Sequence, residues 1–251
     1  MRKRKSVAFP KSVVLGVRVD DVTSEEALSV IEGFIREGTP HQVVTVNPEF
    51  VMAARRDEEF RRVLNAANLA LPDGIGLVWA SRLLGRPLRE RVAGSDLVPK
   101  IAALAAERGY RLFLLGAAEG VADEAARRLR EQNPGLVVAG TYAGSPAVEE
   151  EDEIVALVRE ARPHVLFVAY GAPQQDKWIA RNLERLGVPV CMGVGGALDF
   201  IAGVVKRAPL WVQRLGLEWL HRLLHQPWRW RRQLALVKFA GLVLRERLTK
   251  G

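Results

Sequence analysis

A carboxylate held in a tight turn, Pro72-Asp73-Gly74, is the residue in this chain best suited to proton chemistry. Proline and glycine shape such a turn, and the run behind it, Ile75–Leu84, reads as a helix that Asp73 could simply cap. The sharper reading is a general base, which needs only a hydroxyl within hydrogen-bond reach. Thr45-Val46-Asn47-Pro48 places two further polar groups across the end of a β-rich segment, where the plainer account is a strand threonine and an Asn-Pro turn. Gln174-Gln175-Asp176-Lys177-Trp178 follows a second turn, Gly171-Ala172-Pro173. A surface helix start accounts for Asp176 and Lys177, but two successive glutamines there are less expected.

Several chemistries find no support. Gly193-Val194-Gly195-Gly196-Ala197-Leu198 carries Leu198 where a dinucleotide fingerprint ends in glycine, and no P-loop occurs, so hydride transfer is disfavoured. His221 and His225 have helical i,i+4 spacing without an evident third ligand, which a polar helix stripe explains. No Asp-x-Asp pair is present, and no bound metal or cofactor is expected. The single cysteine, Cys191, permits no internal disulfide, and its setting after Val188-Pro189-Val190 suggests a buried, inert thiol.

The elements that must position these residues alternate. β-rich segments are expected at Val13–Val19, Gln42–Val46, Arg111–Leu115, Leu136–Gly140, His164–Tyr170 and Val188–Met192. Helical patterns separate them, among them a capping box at Thr23-Ser24-Glu25-Glu26. The acidic run Glu149–Glu153 reads as the solvated first turn of another helix. Such alternation implies βαβ units, hence an α/β fold with a mostly parallel, Rossmann-like sheet covered by helices on both faces. Ligands of such sheets bind at the carboxyl ends of the strands, where the turns named above fall.

Charge divides the chain. From Val204 to Gly251 there are eleven Lys/Arg against Glu218 and Glu246, about +9 in a chain of net +8, so residues 1–203 sum to about −1. Trp211, Trp219, Trp228 and Trp230 share that segment. This division predicts a catalytic domain over 1–203 and a basic, Trp-rich helical appendage over 204–251. Trp favours the headgroup region and Lys/Arg are drawn to anionic lipid, so an anionic membrane surface is the expected partner. Helices that merely cover the core are the alternative, and no nucleic-acid-reading motif accompanies the charge. Helical patterns run from Trp211 to His225 and from Trp228 to Leu248. The longest apolar run, Leu234–Leu244, is broken by Lys238 and falls short of the ~20 residues that span a bilayer. The basic start, Arg2-Lys3-Arg4-Lys5, lacks a following apolar h-region, so a cytoplasmic protein at the inner face of the membrane is expected.

Taken in order, Thr45-Val46-Asn47-Pro48-Glu49, Pro72-Asp73-Gly74-Ile75-Gly76, Arg91-Val92-Ala93-Gly94-Ser95-Asp96 and Gly171–Trp178 form a pattern. Gly193–Phe200, Lys206-Arg207-Ala208-Pro209 and Gly216-Leu217-Glu218-Trp219-Leu220 continue it. The whole resembles the bacterial WecG/TagA/CpsF glycosyltransferases, family 26, from about Val13 to the last helix. The resemblance implies a metal-independent, inverting transferase of the GT-E type. It would move N-acetylmannosamine from a UDP donor to undecaprenyl-diphosphate-GlcNAc in a β-1,4 linkage, as in teichoic acid synthesis. It makes Asp73 the base and places Arg91 near the leaving diphosphate. Thr45, Asn47 and Gln175 fall at the donor sugar, Asp199 contacts the nucleotide or holds its glycine-rich loop, Arg207 is a further substrate-binding candidate, and Arg222, Arg229 and Arg232 come from the appendage to close the site. A different donor (UDP-ManNAcA or a UDP-glucose type) and a non-catalytic nucleotide-binding membrane protein are the alternatives. A homo-oligomer is left open.

Overall fold

The computed structural model describes residues 9–209, 212, 220, 223 and 230–250, with the backbone alone at 230–233 and 250. Its centre is a six-stranded sheet of β3 (His41–Val46), β4 (Leu69–Pro72), β5 (Arg111–Gly116), β6 (Val137–Tyr142), β7 (Val165–Ala169) and β8 (Val190–Gly193). The spatial order is β4-β3-β8-β7-β5-β6, and every neighbouring pair is parallel. β3, β7 and β8 are buried at every position, so both faces of the sheet must be covered.

Helices provide that cover. On one face lie α1 (Ser24–Glu37), α5 (Gly94–Arg108), α6 (Val121–Gln132) and α9 (Ala197–Ala202), packed through residues such as Ile31, Leu97, Ile101, Leu129 and Leu198. On the other face are α2 (Pro48–Ala54), α3 (Glu58–Ala66), α4 (Ile75–Leu83), α7 (Glu151–Ala161) and α8 (Gln174–Leu186), contributing Val51, Phe60, Leu77, Ile154 and Trp178. The capping box expected at α1 is formed: Thr23 accepts from the Glu26 N–H, and Glu26 accepts from the Thr23 N–H at 2.8 Å.

Two sequence expectations need correction. Val13–Val19 is not one strand but a hairpin, β1 (Lys11–Val14) and β2 (Val17–Asp20), paired antiparallel outside the central sheet. Leu15 and Gly16 both take positive φ, 49° and 85°, the backbone of a tight primed turn whose twist suits the flanking strands. β4 lies outside every β-rich segment expected from the sequence. Its four residues, Leu-Ala-Leu-Pro, are short and lack β-branching, and Pro72 is tolerated because β4 is an edge strand. Asp20 of the hairpin accepts from the Ala70 N–H at 2.8 Å, which satisfies part of that edge.

The C-terminal helix α10 (Trp230–Lys250) lies against α2 and α4. Phe239 and Val243 enter the same buried cluster as Phe50, Val51 and Val78. No helix among the described residues is long and apolar enough to cross a membrane. The helix expected from Trp211 to His225 falls almost wholly outside the described residues.

Candidate active site

Four adjacent strands, β4, β3, β8 and β7, end at one cavity of about 980 Å³. It is lined by Thr45 and Asn47 after β3, Asp73 after β4, Gln175 after β7 and Asp199 in α9, together with Arg91 from the loop before α5. Residues far apart in sequence meet here because parallel strands deliver all their carboxyl ends to the same edge.

Asp73 is held by its backbone. Its N–H donates to Val46 O at 2.7 Å and to Leu71 O at 3.0 Å, fastening the turn across the ends of β3 and β4. It does not cap α4, whose N-cap is Gly74 without any side-chain hydrogen bond. Asp73 Oδ2 instead accepts from the Gly94 N–H at 3.2 Å, at the start of α5. The positive end of that helix favours negative charge at this spot. A Cβ at Gly94 would come within 3.1 Å of Thr45 Cγ2, so the missing side chain is what lets α5 approach Thr45 and Asp73 together.

Asn47 has both of the uses that its sequence allowed. Its side-chain oxygen accepts from the Phe50 N–H at 2.9 Å and caps α2, while the residue also lines the cavity. Gln175 is almost fully buried, and its Oε1 accepts from the Gly171 N–H at 3.1 Å and the Gly195 N–H at 3.0 Å. One carboxamide therefore ties the turn after β7 to the turn after β8.

Asp176 corrects the expectation of a surface position. It is fully buried, and neither carboxylate oxygen has a hydrogen-bond partner among the described residues. Burial pushes its carboxyl up to about 7, with the nearby Gln175 amide opposing the shift. A Cβ at Gly193 would meet Gln175 Nε2 at 2.6 Å and Asp176 Oδ1 at 2.7 Å, so only glycine fits above this buried pair. Lys177 does reach outward, pairing with Asp57 at 2.7 Å and Glu59 at 2.6 Å. Glu151 likewise departs from a solvated acidic run: it is buried and bonded to Arg181. Cys191 is buried as expected, and burial raises its thiol.

Arg207 does not line this cavity. It lines a neighbouring one of about 420 Å³, with Ser24, Glu90, Asp96 and Lys100, and Arg91 borders both. Arg222 and Arg229 lie outside the described residues, as does the side chain of Arg232. Sequence reasoning passed over Arg56 of the loop after α2 and Lys238 of α10, which bring two further cations to the main cavity. Leu234, Ala235 and Leu236 of α10 also line it. A helix periodicity that marks one apolar side cannot reveal which body element that side meets. Among the described residues, no three His, Cys, Asp or Glu side chains cluster as metal ligands would.

The model of the WecG/TagA/CpsF glycosyl transferase family matches residues 12–251, nearly the whole chain. The chain belongs to that family. Among curated members, the N-acetylglucosaminyldiphosphoundecaprenol N-acetyl-beta-D-mannosaminyltransferase of Bacillus subtilis strain 168 is 38% identical over 208 residues, covering 83% of this chain and 80% of that protein. The protein of the same name from Staphylococcus aureus strain NCTC 8325 is 32% identical over 214 residues, covering 84% and 83%. Family membership makes the chain a sugar-transferring enzyme, and its six parallel strands with helices on both faces are the fold expected from the resemblance.

Proposed function

We propose that this enzyme transfers N-acetylmannosamine from UDP-N-acetylmannosamine to undecaprenyl-diphosphate-N-acetylglucosamine, with inversion and a β-1,4 linkage. The names of the relatives support the acceptor and the sugar. The observation that carries the mechanism is the position of Asp73, a carboxylate lining a cavity of about 980 Å³ that cations also border. Asp73 takes the proton of the acceptor hydroxyl while that oxygen attacks the anomeric carbon. The bond from that carbon to the UDP oxygen breaks, and the electron pair leaves with the diphosphate. Arg91, with Arg56 and Lys238 on the same cavity, offsets the charge that develops there. Thr45 and Asn47 meet the donor sugar, Gln175 holds the two glycine turns that floor it, and Asp199 faces the nucleotide.

The acceptor is anchored in a bilayer, so the enzyme must work at its surface. We assign attachment to residues 204–251. α10 has two apolar sides: Phe239 and Val243 are buried in the body, whereas Val237, Leu244 and Leu248 are exposed, Val237 by 71% and Leu248 by 82%. At helical spacing these three share the side turned away from Phe239, with Arg245 near them.

A panel of UDP-sugars offered with a short-chain lipid diphosphate-GlcNAc, and read by product mass, tests the assignment. UDP-N-acetylmannosamine should yield a product one N-acetylhexosamine heavier. Product from another donor alone would replace the sugar, and UDP binding without turnover of any donor would remove the catalytic reading.

A further inference from the structure

One acid in the neighbouring cavity has no part in the proton chemistry, yet it joins two separated cations. Asp96 lies in the first turn of α5, two residues beyond the Gly94 whose N–H meets Asp73. Its Oδ2 lies 3.1 Å from the Arg91 guanidinium, and its Oδ1 lies 2.5 Å from that of Arg207. Arg91 precedes α5, whereas Arg207 follows α9 and leads towards the C-terminal segment. Left alone, two adjacent guanidiniums repel; a shared carboxylate offsets the repulsion and keeps both close to it. The arginine side chains are 20% and 26% exposed, so water screens these pairs less than ordinary surface pairs. The two guanidiniums lie where the cavities adjoin, Arg91 lining both and Arg207 the smaller one.

We propose that Asp96 is a positioning residue that presents Arg91 and Arg207 as one paired site for a substrate diphosphate. This rests on the transferase reading for its substrate, but not for its geometry. Because Asp96 and the Asp73 contact share the first turn of α5, the arginines and the base keep a fixed relation through a single rigid element. An interaction that strengthens as the leaving diphosphate gains charge acts on turnover more than on ground-state binding.

The test uses the full chain, with Asp96→Asn, Asp96→Glu, Arg207→Gln and the Asp96→Asn/Arg207→Gln pair. Calorimetric titration with inorganic diphosphate at low salt should show weaker binding to Asp96→Asn by about 10-fold, from loss of the carboxylate that holds the two arginines together. Turnover of UDP-sugar should fall about 10- to 100-fold, carried mostly by kcat. Asp96→Glu should recover part of both. The double variant should lose less than the sum of the two single losses, because part of the Asp96 effect passes through Arg207. Wild-type diphosphate affinity and kcat in Asp96→Asn would overturn the proposal, as would losses that add fully in the double variant. Absence of diphosphate binding to the unmodified enzyme would do the same. If diphosphate binding follows these expectations while no UDP-sugar is turned over, the transferase reading fails and the paired site stands.

Discussion

The body of the molecule and its C-terminal helix use charge in opposite ways. In the body, charged side chains meet partners on the same or a neighbouring helix: Arg127 and Arg128 share Glu124, Arg181 holds Glu151, and Lys177 joins Asp57 and Glu59. Glu124 is drawn down to about 2 by the two arginines beside it. α10 cannot do this within itself, because Trp230–Lys250 has six Lys/Arg and one acid, Glu246. Exposed apolar groups occur in both: α4 leaves Trp79 68% exposed, while α10 buries Phe239 and Val243 and leaves Val237, Leu244 and Leu248 exposed. The body thus offsets many of its charges within itself, whereas α10 carries an excess of cations and buries only one of its sides against the body.

Breaking the body's chemistry should produce the largest effect. Asp73→Asn is expected to lower kcat by roughly 10²- to 10⁴-fold with UDP affinity nearly unchanged, measured by initial rates beside calorimetry. An active Asp73→Asn enzyme would remove the base from the scheme. The inner side of α10 comes next: Phe239→Ala should destabilise the protein by about 3–5 kcal/mol in denaturant titration, because it opens a cavity in the cluster shared with Phe50 and Val78. A negligible change would mean that α10 is not part of the folded body.

Asp176 sharpens the comparison from within the body. Its carboxyl is raised to about 7, so between the usual carboxylate range and pH 7 the native state holds a proton that the unfolded chain has released. Stability from this group is therefore greatest in acid and declines as pH rises to about 7, by up to roughly 4 kcal/mol. Asp176→Asn should flatten that decline, seen as unfolding midpoints at pH 5 and pH 8 that lie closer together than in the unmodified protein. The smallest effect on folding belongs to the outer side of α10. Val237→Gln with Leu244→Gln should leave the unfolding midpoint almost unmoved yet weaken sedimentation with anionic vesicles by several-fold. Unchanged vesicle binding would shift attachment away from this stripe.

The turns that carry Thr45, Asn47, Asp73 and Gln175 could be found without coordinates, because Pro, Gly and Asn at strand ends state their backbone needs locally. β4 could not: Leu69–Pro72 becomes a strand because β3 lies beside it, and nothing in its own composition favours one. The burial of Asp176 depends on its surroundings in a related way. A charged residue in a helix's first turn is usually solvated, and only the packing of α8 against β3 and β8 buries this one.

Local residue chemistry determined the alternation of strands and helices, the charge division at about residue 204, and which turns hold reactive groups. These depend on periodicity and on backbone preference, and both act over a few residues. Tertiary structure alone decided that Gly94 at the start of α5 meets Asp73, that Asp96 joins Arg91 to Arg207, and that α10 supplies a wall of the cavity. Those contacts join residues from separate parts of the chain, and strand order in the sheet, which no short stretch encodes, sets which of them meet.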